Sequence, residues 1–158
     1  MSETVLEPAE SASRAAVDPW IPCLLAWLAP GLGHAYLGRK GRGAVFFVVV
    51  LATLGLGISS DGAAALIDPH QPLTYLATFD NLAVGPLDLL SRLATYGRIV
   101  YRLPEDEADP RRIELTDRLR KKVRSVTFEY GNTFLLTAGL MNILLILDAF
   151  DIATGRKD

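Results

Sequence analysis

The side chains able to do chemistry in this chain are few and scattered. There are two histidines, His34 and His70, and one cysteine, Cys23; acids stand in or beside apolar stretches at Asp80, Asp88, Asp148 and Asp151. A zinc centre needs three or four converging ligands, and the histidines belong to different segments, so no metal site is expected. Gly33 to Gly38 followed by Arg39-Lys40 has the outline of a phosphate loop. However, the lysine does not directly follow the glycine and no Ser or Thr comes next, so GxxxxGK[ST] is absent. Gly31-x-Gly33 lacks the further glycine and the leading strand of a dinucleotide site. Asp148 or Asp151 with Asp80 or Asp88 would be the acids of an intramembrane hydrolase, but nothing in their spacing supports it. We therefore expect no catalytic residues and no cofactor. Cys23, inside an apolar run, reads as a small buried hydrophobe.

What must position these groups is apolar chain. Residues 19 to 38 and 43 to 60 carry no formal charge, and only Arg39-Lys40-Gly41-Arg42 separates them. Uncharged runs of about 18 residues or more reach roughly 27 Å as helix, close to the hydrocarbon thickness of a bilayer. The first run, about 20–38, is not one smooth helix, because Pro30 removes a donor and Gly31 and Gly33 weaken the turns beyond it. A helix from Trp20 to Ala29, a break, then a turn near Tyr36 to Arg42 is expected. Trp20, Trp27 and Tyr36 are candidate interfacial anchors. The second run, about 43–60, is the cleanest crossing; its Val and Phe would favour a strand in water, but an open strand in lipid leaves its backbone unsatisfied. A third run, about 130–150, ends at Asp148 and Asp151 and holds Asn142, which reads as an interhelical hydrogen bond.

Residues 73–96 are ambiguous. Their leucines favour insertion by roughly 4 kcal/mol and two central aspartates oppose it by about 6. Topology votes the other way. Arg39, Lys40 and Arg42 form one basic loop, and residues 98 to 124 hold nine Arg or Lys against six acids. Both are cytosolic only if 73–96 supplies a second crossing, or a deep re-entrant hairpin whose aspartates face protein. Within the connector 98–128, Asp109-Pro110 reads as an N-cap with proline at the first helical position. Leu115, Leu119, Val123 and Val126 then recur at helical spacing among basic residues, as in a helix at 110–124 lying on anionic lipid or packed on the membrane core. The acidic tail, residues 1–19, lacks the apolar content to order itself and does not read as a cleavable signal.

At the hinge a resemblance enters. Gly33-His34-x-Tyr36-Leu37-Gly38 with Gly43 following looks like the loop of the two-transmembrane (TM-two) domain, whose motif loop is cytosolic. A closer likeness is to a bacterial family of small multi-pass membrane proteins of unknown function. Pro30, Gly31, Gly33, His34, Tyr36, Leu37, Gly38 and Arg39 fit its opening motif, and Gly131, Asn132, Leu140, Asn142, Asp148 and Asp151 its closing one. The resemblance implies the bacterial cytoplasmic membrane and no established activity. Chain and likeness together predict an all-α integral membrane bundle of three to four segments, residues 20–158, with a cytosolic amphipathic helix. The leading expectation is a non-enzymatic scaffold or accessory protein whose partners are the bilayer, other membrane proteins or itself. Nucleic acid is not expected, since no basic face carries interleaved aromatics. The rival is a small transporter or ligand-binding protein using Asp80, Asp88 and Asn142, because acids inside membrane segments are functional candidates. An enzyme built on His34, Asp148 and Asp151 ranks third.

Overall fold

The computed structural model describes residues 18–157, so the expectation for the acidic tail lies, but for Asp18 and Pro19, outside the described residues. Among the described residues seven helices run in order: α1 Trp20–Leu28, α2 Leu32–Tyr36, α3 Lys40–Ser59, α4 Leu73–Ala83, α5 Asp88–Tyr96, α6 Pro110–Val123 and α7 Phe128–Ala153, with a 3-10 turn at Gly85–Leu87. Isolated bridges, such as Ile67 with Arg102, are the nearest thing to a strand among the described residues. α7 is the axis on which α1, α3 and α4 pack.

The long helices α3 and α7 run antiparallel. The end of α3 meets the start of α7, where a side chain on Gly57 would strike Leu135 and Gly62 lies directly on Gly131. At the opposite end His34, just ahead of α3, reaches Asp148 near the end of α7. We call these the connector end and the hinge end. Val50 and Leu54 of α3 and Leu135, Ala138 and Leu145 of α7 make the main core with Val84. The other faces look outward: Val45 and Val48 of α3 are 60% and 63% exposed, Leu140 and Leu144 of α7 55% and 58%. Both helices are long and apolar enough to cross a membrane. A helix from an aqueous core would show the reverse, with its apolar side chains turned inward.

Neither of the two remaining apolar stretches forms a helix long enough to cross a membrane. Each folds back at mid-height. α1 starts beside Phe150, which Trp20 meets edge-on, and by Ala26 it has reached Asn142 near the middle of α7. There Ala29 turns extended (φ −149°, ψ 130°), as a residue before proline must, and Gly31 at φ 83° reverses the chain. α2 then climbs back to the level of Asp148. The expected break is found, and 20–38 forms a hairpin of two short helices that reaches only to the middle of α7. Nine helical residues span only about 14 Å.

Residues 73–96 do the same from the connector end. α4 descends along α7 until Ala83 also reaches Asn142, the 3-10 turn reverses it, and α5 returns to the level of Ala65. Residues 73–96 thus form a helical hairpin in place of one long helix. The two basic stretches lie at opposite ends of the bundle: Arg39, Lys40 and Arg42 ahead of and at the start of α3, and the connector beside the end of α3, where Lys122 meets Gly62. α4 ends at Ala83, past Asp80, and Gly85 at φ 71° with Pro86 turns the chain back.

At the connector end a second core gathers Ala64, Leu66, Tyr96 and Leu115. α6 begins as expected, with the Asp109 carboxylate accepting from the Arg111 amide at 2.7 Å. It packs through Leu115, Leu119 is half-buried, and Val123 and Val126 remain exposed, so one of the four residues of the expected apolar stripe is buried against protein.

Candidate functional site

Two polar centres are built into the bundle axis, and the local turns explain both. At the hinge end, Pro30 and Gly31 turn the chain so that α2 lies against α3; the Gly31 and Gly43 backbones touch, and any side chain at either would overlap the other strand of chain. Gly33 likewise lies on the Pro22 carbonyl. This close approach carries His34 into full burial, with Nε2 2.8 Å from Asp148 Oδ2 and the ring edge-on to Phe46 at 4.9 Å. Lys157 binds the other Asp148 oxygen. Tyr36, Gly38 and Arg39 sit at the rim, and Asp151 faces Arg156 at 3.9 Å. Of the motif residues, Pro30, Gly31, Gly33, His34 and Asp148 come together here, whereas Tyr36, Gly38, Arg39 and Asp151 do not. His70 lies at the connector end, where its amide donates to Asp68.

The second centre is at mid-height, where the two half-hairpins meet tip to tip. The C-terminal carbonyls of α1 and α4 face one another, each the electronegative end of a helix. Fully buried Asn142 donates its side-chain amide to both, to Ala83 O at 2.7 Å and Ala26 O at 3.3 Å. Trp27 Nε1 donates to Leu82 O at 3.1 Å. Gly85, at φ 71°, lies so close to the Trp27 carbonyl that a methyl group there would overlap it. One turn along α7, Gly139 admits Asp80, whose backbone and carboxyl occupy the space of a missing Cβ. Asp80 Oδ2 and Asn142 Oδ1 are both buried without a hydrogen-bond partner. The other face of Asp80 opens on a groove lined by Leu76, Thr133, Leu136, Thr137 and Leu140.

Asp88 does not join them. It is sealed against Arg92 at 2.6 Å and accepts from Ser91, while Arg92 also donates to Ala65 O and Val100 O and lies over the Tyr101 ring. Together with Tyr96, which donates to Ala64 O, this pair fastens the extended segment that follows α3. Asn81 and Asn132 hold the same segment through the Ala65 and Ala63 amides. Lys122, on α6, donates to Gly62 O at 2.9 Å, and burial pulls its pKa below the usual lysine value, partly offset by Asp61. Sequence reading passed over Arg92 and Asn81. The Asp88–Arg92 spacing of four residues was the signal to use, since such pairs face each other on a helix.

An all-helical bundle with two helices fit to cross a membrane, two half-depth hairpins and a polar seam along α7 is the class these features define. Residues 21–158 match the model of a family described as a family of unknown function, DUF6677, and the chain belongs to it. Both motifs lie inside the matched range. Searches among curated proteins and among solved structures give no match.

Proposed function

We propose that the protein is an integral membrane protein of the bacterial cytoplasmic membrane, acting as a non-enzymatic scaffold or accessory component. α3 and α7 cross the bilayer, and the α1–α2 and α4–α5 hairpins re-enter it from opposite faces. The observation that carries this reading is the outward apolar girdle of α3 and α7, continued by Leu24 on α1 and Leu76 and Phe79 on α4. In water such a surface would be an aggregation liability; in lipid it is the solvated face. The two half-helices, at nine and eleven residues, add up to about 30 Å, the length of α3. Stacked tip to tip, they complete one composite span.

The accessory role is supported by how the buried polar groups are spent. Arg92, Tyr96, Asn81, Asn132 and Lys122 all bind this chain's own backbone, fixing loops at one face of the bundle. The connector end, with nine Arg or Lys in residues 98 to 124, faces the cytoplasm by the positive-inside rule, and the hinge with Arg39, Lys40 and Arg42 faces out. That reverses the side expected for the hinge from the TM-two likeness. α6 then offers Arg120, Lys121 and Arg124 to anionic lipid. Alkaline carbonate washing of membranes tests the first part: the chain stays in the pellet, and release into the supernatant contradicts it. Cross-linking in intact cells tests the second, and recovery of the uncross-linked chain alone under all conditions counts against a scaffold.

A ligand-binding or transport role has one specific observation in its favour, the two partnerless oxygens of Asp80 and Asn142 at mid-height. Asp88, neutralised by Arg92, drops out of it.

A further inference from the structure

We propose that Asp80 and Asn142, with the carbonyl ends of α1 and α4, form a binding site for a small monovalent cation of the sodium class. Four features converge on it. The C-termini of two half-helices point at each other, and each concentrates negative partial charge that is normally relieved by a donor or a cation. Asn142 supplies its two N–H donors to Ala26 O and Ala83 O, which leaves its carbonyl oxygen buried and unsatisfied. Asp80 adds a carboxylate oxygen in the same condition. The two are in register: Asp80 lies on Gly139 and Ala83 on Asn142, three residues further along both α4 and α7. Asp80 on α4 therefore lies about one helical turn, roughly 4.5 Å along the axis, from the level of Asn142 on α7.

An unpartnered carboxylate in such a place is costly, and an oxygen-coordinated hard cation removes that cost with its own charge. Oxygen donors alone, one of them charged, suit an alkali cation better than a transition metal, which prefers imidazole or thiolate. Asp80 also has hydroxyl neighbours on α7. Thr133 and Thr137, four residues apart on α7, line the groove on which Asp80 opens. Their hydroxyl protons are committed to Glu129 O and Thr133 O, so each presents oxygen lone pairs to the groove. The site needs only the packing of the two half-hairpins on α7, and it holds whether the protein scaffolds or transports.

The test uses the purified full-length chain in mild detergent and the hydrophobic carboxyl reagent dicyclohexylcarbodiimide, with the modified residue located by mass spectrometry. Asp80 is labelled in choline chloride, and NaCl of equal ionic strength suppresses that labelling about tenfold once sodium is at ten times its dissociation constant. Sodium also raises the thermal midpoint of the wild type with the logarithm of its concentration; Asp80→Asn abolishes the rise, and Asp117→Asn on the exposed face of α6 keeps it. Labelling of Asp80 that sodium leaves unchanged means a protonatable carboxyl only and overturns the proposal. So does a wild-type midpoint equally indifferent to sodium and choline, a result that does not depend on any variant folding.

Discussion

His34 Nε2 and Asp148 Oδ2 stand 2.8 Å apart across 114 residues of sequence. The contact ties the reversal after α1 to the end of α7, and so fixes how deep the first hairpin sits. A buried imidazole packed on Phe46 and bound to a carboxylate is a strong fastening, since hydrogen bonds to charged groups contribute about 1.5–3 kcal/mol. A double-mutant cycle with His34→Gln and Asp148→Asn, read by thermal unfolding in detergent, should give a coupling of about 1–3 kcal/mol. Additive effects would mean that the two residues do not act as a unit.

Asn142 is the clamp between the hairpins. Asn142→Leu leaves the Ala26 and Ala83 carbonyls without their donor and should cost about 1–3 kcal/mol. Asn142→Asp should be worse than Asn142→Leu, because it sets a carboxylate against two carbonyl oxygens while keeping the shape. If the aspartate variant is the more stable of the two, the amide is not donating as described.

Gly85 and Gly38 separate strain from crowding. Both have positive φ, 71° and 83°, but only Gly85 faces a neighbour, the Trp27 carbonyl; nothing stands near Gly38. Gly38→Ala should cost about 1–2 kcal/mol, the left-handed penalty alone. Gly85→Ala should lower the unfolding midpoint much further or prevent accumulation of the protein. Equal midpoints for the two variants would refute the tip-to-tip contact.

The Asp88–Arg92 pair carries an unequal load. Removing one member of a buried pair costs about 3–5 kcal/mol. Arg92→Met also frees the Ala65 and Val100 carbonyls, whereas Asp88→Asn leaves those two bonds in place. The arginine variant should therefore be the less stable by proteolysis and thermal midpoint. The opposite order would show that Arg92 does not hold the loop.

Much of this bundle was readable from residue types. The helix break at Pro30, the uncharged run of α3 and the Asp109 cap follow from local rules, and the observed elements begin and end within a few residues of the expected ones. Depth was not readable. A nine-residue half-helix and the first half of a crossing helix look alike until Gly31 is seen against Gly43 and Gly85 against Trp27, and such pairings between distant segments leave no spacing signal. The placement of the two basic stretches at opposite ends of the bundle was hidden for the same reason, because it depends on which apolar runs form long helices. Asn142 was correctly read as an interhelical hydrogen-bonder, but its two acceptors on opposite hairpins could not be named. Asp80 and Asp88 looked equivalent in sequence; the arginine four residues on made them different.

Scanning accessibility with single cysteines in a Cys23→Ser background tests the half-depth hairpins most directly. Gly41→Cys has open space around it, and Arg120→Cys lies on the exposed face of α6. With a membrane-impermeant maleimide applied to sealed cells and to inverted vesicles, the two positions should label from opposite sides, with Arg156→Cys following Gly41→Cys. Labelling of positions 41 and 120 from the same side would mean that residues 73–96 cross after all, and the architecture described for α4 and α5 would be wrong.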